Sequence, residues 1–262
     1  MNSFVLEGGA TVWRADRLER PATPVWPTGW PALDADLPGG GWPAEGLTEL
    51  LCECPGALEA RLLMPGLTGC DAPVALVGPP QPPHPPGWWS GGLAPARLVW
   101  VQADAVRERL WAAEQLVRGR AAAVLLWLDA APPGALRRLQ VLAAGAGRPV
   151  FLCRPWSAAG ASSPAPLRLR LASGSGWSLQ VDVLKRRGPP LLHPLTLPSV
   201  PGGLAAVLSP RQQRLGQALP DGLRDGLLQP VEAMPLPLPM ALPEQPAANE
   251  VHHALGRLAP AA

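Results

Sequence analysis

Apolar runs alternate with segments of helical period over most of the first two-thirds of the chain. GLTELLC (46–52) has the length and apolarity of a buried strand. ALEARLLMPGL (57–67) then places Leu58, Leu62, Leu63 and Leu67 on one face of a helix. APVALVG (72–78) is a second short strand, closed by the breaker run PPQPPHPPG (79–87), and ARLVWV (96–101) is a third. DAVRERLWAAEQLVRGR (104–120) predicts an amphipathic helix with Val106, Leu110, Ala113 and Val117 inward and Asp104 as its cap. AAVLLWLD (122–129) is a strand without polar alternation, as expected when both faces are covered. PGALRRLQVLAAGAG (133–147) is a helix ending on glycine, and RPVFLCR (148–154) a further buried strand. Strands alternating with helices predict an α/β fold with a mostly parallel sheet.

The period then changes. LRLRLASGSGWSLQVDVLKRRG (167–188) alternates every second residue, with Leu167, Leu169 and Leu171 answered by Leu179, Val181 and Val183 across SGSG. This predicts an antiparallel hairpin with one packed and one wet face. Beyond residue 195 proline interrupts every run, which argues against ladders and long helices. The organisation expected is an N-terminal extension (1–27), a core (28–195) and a largely disordered proline-rich tail (196–262). Within that tail, 209–219 and 248–259 are candidate short helices.

Composition narrows the function little. The 262 residues carry a net charge of +2, so no whole-molecule field points to nucleic acid. Residues 1–195 hold 18 basic and 15 acidic groups (+3), and 196–262 hold 4 and 5 (−1). Proline accounts for 36 residues, well above the usual ~5%, and Lys185 is the only lysine. Cys52, Cys54, Cys70 and Cys153 match neither a disulfide framework nor paired CxxC zinc spacing, and the four histidines supply no metal spacing with them. No secretory leader and no apolar run of membrane-spanning length occurs, so a cytoplasmic protein without membrane contact or metal is expected. Of the eleven tryptophans, Trp111 and Trp127 are expected in the core and Trp88–Trp89 in an exposed loop able to anchor a partner.

LDADLPGGGWPAEGLTELL resembles the start of a RecA-type ATPase core, where a GG-x-P motif and a Glu-containing strand lead into a phosphate loop. The resemblance extends over about residues 28–190, including the closing antiparallel strands. In the matching register the pattern G-x-x-x-x-G-K-[ST] falls on CECPGALE: Cys52 and Ala57 replace the glycines, Leu58 the lysine and Glu59 the hydroxyl residue. Such a loop needs glycines so that amides can face phosphate, a cation for the β/γ-phosphates and a hydroxyl for Mg²⁺. Glu53 and Glu59 instead bring negative charge. The place of the catalytic glutamate, VALVGPPQPPH, holds no carboxylate, and Asp129 stands where a Walker B aspartate would. The resemblance therefore implies a P-loop-type fold without nucleotide binding, cofactor or ATPase activity.

A narrower likeness is to the ImuA family of translesion-synthesis accessory proteins, which keep a degenerate core related to RecA and SulA. It rests on VWRADRL, TGWPALDADLPGGGWPAEGLTELL, LRRLQ, SPAPLRLRL and VLKRRG, spread over residues 12–188. What it implies is a non-catalytic subunit of SOS-induced error-prone repair synthesis, nucleoid-associated during DNA damage. The expected partners are an ImuB-type Y-family polymerase homologue, an error-prone C-family polymerase and RecA. The alternative, from the SulA-like grouping, is an SOS inhibitor of cell division.

Single-stranded DNA is a further candidate partner. Arg168, Arg170, Lys185, Arg186 and Arg187 face one acid, Asp182, giving +4 between 168 and 187. Arg168 and Arg170 share the wet face of the hairpin, where a cationic stripe can follow phosphates. Arg154 and Trp156 open the segment that corresponds to the DNA-contacting loop of RecA, and offer a charge and a stacking face. The plainer reading is a solvated sheet face and a charged edge.

Overall fold

The computed structural model describes residues 4–5, 11–12, 24–119, 121–200, 209 and 211. All belong to one compact unit, Met1–Asp221; a second unit, Gly222–Ala262, contains none of them. The expected tail helices lie outside the described residues, apart from Ser209 and Arg211.

Helix α1 (Pro31–Asp36) precedes the sheet. Strand β1 (Leu47–Cys52) leads through α2 (Leu58–Leu67) to β2 (Val74–Val77). Helix α3 (Pro85–Ser90) leads to β3 (Leu98–Val101), α4 (Val106–Arg118) to β4 (Ala123–Trp127), and α5 (Pro133–Ala146) to β5 (Val150–Pro155). Strands β6 (Leu167–Ser173), β7 (Ser178–Lys185) and β8 (Leu195–Pro198) complete the order. The eight strands form one sheet in the order β8-β7-β6-β1-β5-β4-β2-β3. From β6 to β3 every pairing is parallel, while β7 and β8 are antiparallel additions at the other edge. The chain is thus an α/β protein whose mostly parallel sheet ends in an antiparallel hairpin.

The central strands are largely apolar because both faces are covered. On one face Leu50, Leu76, Leu125 and Phe151 pack with Leu33 of α1, Leu62, Leu63 and Leu67 of α2 and Trp88 of α3. On the other, Leu47, Val77, Leu126 and Leu152 pack with Leu110 and Ala113 of α4 and Leu136 and Leu139 of α5. The α4–α5 layer stops short of β6, β7 and β8, and there alternation reappears: Leu167, Leu169 and Leu171 are buried and Arg168 and Arg170 are not fully so.

Several expectations need correction. Asp104 does not cap α4: Ala105 occupies the cap and no side chain bonds there. Val106 is exposed and Trp111 is 64% exposed, because the buried stripe runs through Leu110, Ala113 and Val117 and Trp111 lies off it. Trp88 is buried in α3, and of the pair Trp88–Trp89 only Trp89 is exposed. Val25–Trp26 pairs with Trp42–Pro43, so the core begins before residue 28. At the other end Leu195–Pro198 pairs with β7 despite its flanking prolines, so the chain past 195 still belongs to the sheet. Proline is tolerated there because β8 is an edge strand, with one side free of ladder bonds. No helix among the described residues is long and apolar enough to cross a membrane.

Candidate functional site

Two places need explanation: the loop between β1 and α2, and the hairpin with the segment that leads into it. The loop spans Glu53–Ala57, and Leu58 opens α2. Leu58, in the lysine's place, packs against the core. Ala57, in the second glycine's place, is a helix cap with no side-chain bond.

Glu59 lies wholly inside. Its two oxygens accept from the Gly56 amide at 2.8 and 3.0 Å. Oε1 also accepts from Trp127 Nε1 at 3.1 Å and faces Cys52 Sγ at 3.5 Å. Gly56 adopts a φ of 116°, a conformation side chains rarely permit, and its amide points inward. A loop amide is therefore spent on the chain's own carboxylate. Burial, then the charge of Glu59 and its hydrogen bond, push the Cys52 thiol far above its ordinary range. Burial followed by Glu59 does the same to Cys153. Glu53, by contrast, is 75% exposed and sits 3.8 Å from Arg170.

Asp129 is exposed, two residues past the end of β4. It is neither a strand residue nor the cap of α5, whose cap is Pro132 with no side-chain bond. The segment after β2 holds prolines and His84 and no carboxylate. Among the described residues no cluster of three His, Cys, Asp or Glu is arranged to hold a metal, and all four cysteines are free.

The candidate DNA-contact residues separate into three groups. Arg154 and Arg168 are not surface groups. Both converge on Glu49, fully buried in β1: Arg154 Nη1 at 3.0 Å from Oε1 and Arg168 Nε at 2.6 Å from Oε2. The register explains the meeting, since β6 and β5 flank β1 on either side. Arg168 Nη2 also donates to the carbonyls of Ala158 and Ala159, which tethers the segment leading into the hairpin. Arg154 Nε has no acceptor among the described residues. These two arginines tie three strands together, and their burial removes them from any backbone-contacting stripe.

Arg170 remains half-open. Its guanidinium lies 4.4 Å from the Trp156 ring centroid, with Glu53 at 3.8 Å and Asp182 at 3.9 Å. The third group is Lys185, Arg186 and Arg187 at the end of β7. Lys185 and Arg187 are exposed; Lys185 donates to Ser163 O at 3.1 Å. Arg186 donates to Pro189 O at 2.7 Å and to the carbonyl of Asp36. The cationic surface is thus a short cluster beside a paired Arg170, not a continuous stripe.

Sequence reasoning missed Glu49 and Arg61. Glu49 had a signal: a carboxylate inside an otherwise largely apolar strand needs compensating donors or a cation, and Arg154 lies near the end of a similarly apolar strand. Arg61 had none, because it lies in helical period with solvent-facing positions. Its Nη2 donates to Trp177 O at 2.9 Å and Ser199 O at 2.5 Å, contacts that only the fold creates.

Compared with known proteins, the chain matches no protein-family model and no curated protein sequence.

Proposed function

We propose that this protein is a non-catalytic subunit of error-prone DNA repair synthesis, built on a RecA-like core that has lost its nucleotide site. The observation that carries this reading is the β1–α2 loop: Leu58 stands in the lysine's place and Glu59 occupies the loop interior from within. A phosphate entering there would meet a buried carboxylate instead of free amides, and Leu58 brings no charge to the lysine's position. The order of elements and the closing antiparallel strands support the RecA-like assignment, and the sequence likeness to the ImuA family supports the pathway. In this reading the scaffold offers partner surfaces without an ATP-driven cycle. The partners are an ImuB-type polymerase homologue, an error-prone C-family polymerase and RecA. The groups this reading leaves for single-stranded DNA are Arg170, Lys185, Arg186 and Arg187, since Arg154 and Arg168 are committed to Glu49.

Co-purification of the full chain with the ImuB-type homologue and RecA, with and without single-stranded DNA, tests the reading. Capture by protein alone is expected. Capture that requires DNA and is lost on reversing Lys185, Arg186 and Arg187 would move the function to the hairpin. No capture in either condition would reject the reading. Calorimetric titration with Mg·ATP at millimolar concentration is expected to give no heat, and saturable heat would refute the loss of the nucleotide site.

A further inference from the structure

Beside the filled loop, on the face covered by α2 and α3, lies a pocket of about 970 Å³. It opens at the carboxyl ends of the strands: Cys54–Ala57 follow β1, Pro79–His84 follow β2 and Trp127 ends β4. Clefts at this end of an open α/β sheet are the usual ligand sites, and the volume is at the upper end of the ~300–1,000 Å³ typical of small-molecule pockets. Its walls are Trp30, Trp88, Trp127, Met64 and Leu76, closed by the prolines of the β2–α3 segment. Three indoles and a thioether present flat, polarisable surface suited to a ring or a short apolar chain.

Among the lining residues Arg61 is the only one with a formal charge. It is half-buried, and its partners among the described residues are all neutral: Ser199 Oγ at 3.3 Å from Nε, and the carbonyls of Trp177, Ser178 and Ser199 around Nη2. No carboxylate among the described residues forms an ion pair with it, and Nη1 donates to none of them. Burial lowers its proton affinity, as expected for a cation withdrawn from water without a counter-ion. Glu59 does not fill that role, since its oxygens are taken by Gly56, Trp127 and Cys52. Ser199 is itself buried and fixes the guanidinium against the wall, so the group is pre-oriented.

We propose that this pocket binds a small organic anion, with a flat or short apolar body against the tryptophans and one carboxylate, sulfonate or phosphate group on Arg61. A single cation in a mostly apolar lining does not suit a polyphosphate or a nucleic-acid backbone. The site is independent of the repair assignment.

The test uses the full-length protein and two fluorescent probes of similar body: anionic 8-anilinonaphthalene-1-sulfonate and neutral N-phenyl-1-naphthylamine. Saturable single-site binding of the anion is expected, about tenfold or more tighter than the neutral probe, as befits one charge-assisted contact. Arg61→Gln should reduce the anion to the neutral probe's affinity. Arg61 also bridges elements, so a second variant keeps the test open if that one misfolds. Ala60→Phe adds bulk to the lining from α2 at a residue that is not a partner of Arg61, and should abolish binding of both probes while circular dichroism stays unchanged. Non-saturable binding, or binding unaltered by Ala60→Phe in a folded protein, overturns the site. Equal affinity for the two probes overturns the role of Arg61.

Discussion

Glu49 and Glu59 stand ten residues apart on one strand–loop–helix unit, both with no exposed surface, and are held by opposite means. Glu49 lies between two guanidiniums, at 2.6 and 3.0 Å, contributed by the strands on either side of β1. Glu59 meets no cation among the described residues: an amide, an indole N–H and a thiol surround it. The first is a problem of charge, solved by strand order. The second is a problem of acceptors and donors, solved by a loop that closes on its own helix. A buried carboxylate costs several kcal/mol of desolvation unless it is compensated, so each residue reports what its surroundings were built to supply. The Glu49 site supplies charge and clamps β5, β1 and β6. The Glu59 site supplies shape, and it fills the turn between β1 and α2.

The largest expected effect follows from breaking the ionic site. Glu49→Ala leaves two buried guanidiniums without a counter-ion, and should cost about 3–5 kcal/mol in urea unfolding. Glu49→Gln should cost nearly as much, because it removes the charge while keeping the shape. Replacing Glu49, Arg154 and Arg168 together by apolar residues of similar volume should recover most of that loss, as buried ion clusters often allow. A Glu49→Gln protein of unchanged stability would show that the arginines do not depend on the carboxylate.

At the Glu59 site the same two substitutions should separate instead of costing nearly the same. Glu59→Gln keeps an oxygen for the Gly56 amide and the Trp127 indole, and should cost about 1 kcal/mol. Glu59→Ala strands both donors in the interior, and should cost about 2–3 kcal/mol. Equal losses for Gln and Ala at 59, with Gln tolerated at 49, would reverse the comparison.

The third effect is a pH dependence that Glu59 sharpens. Cys52, Cys70 and Cys153 all have thiols raised chiefly by burial, with Glu59 adding to the first and third. The folded protein therefore keeps these protons at a pH where the unfolded chain, with thiols near ~8.5, has lost them. The folded state binds more protons, so stability falls as pH rises above that value, by about 1.4 kcal/mol per pH unit for each fully raised thiol. The chain has no tyrosine and a single lysine, which leaves the alkaline range almost clear of other titrations. Denaturation midpoints between about pH 8 and 10.5 would measure the slope. A flat profile would mean that these thiols ionise freely in the folded state.

How much of this was legible beforehand depends on the range of the contact that decides it. The strands and most helices follow from local apolar period, and the hairpin from its switch to alternation, so the α/β class was readable. The absence of lysine at Leu58 was readable too, because it is a matter of identity at one position. The inward turn of Glu59 was not, since it depends on Trp127 arriving from β4. Arg154 and Arg168 looked like surface charge because their partner Glu49 lies 105 and 119 residues away in sequence. Only strand order brings them together. Trp111 was assigned to the core by residue type when helical period placed it outward. The ladder at Leu195–Pro198 was hidden by prolines whose cost vanishes at an edge.

The smallest expected effect is at Arg170, the exposed counterpart of Arg168 two residues along the same strand. Glu53 and Asp182 lie at 3.8 and 3.9 Å and Trp156 beneath it at 4.4 Å, but the side chain is 35% exposed. Solvent screens such pairs, so Arg170→Ala should cost less than about 1 kcal/mol, most of it insensitive to salt if the ring contact dominates. Arg168→Ala, by contrast, should approach the Glu49 losses, because it removes one of the two cations from a buried carboxylate. Measuring both variants at low and high salt separates buried from surface charge on a single strand. If Arg170 proves as costly as Arg168, then the outer face of the hairpin is covered in solution, and the wet face assigned to it is wrong.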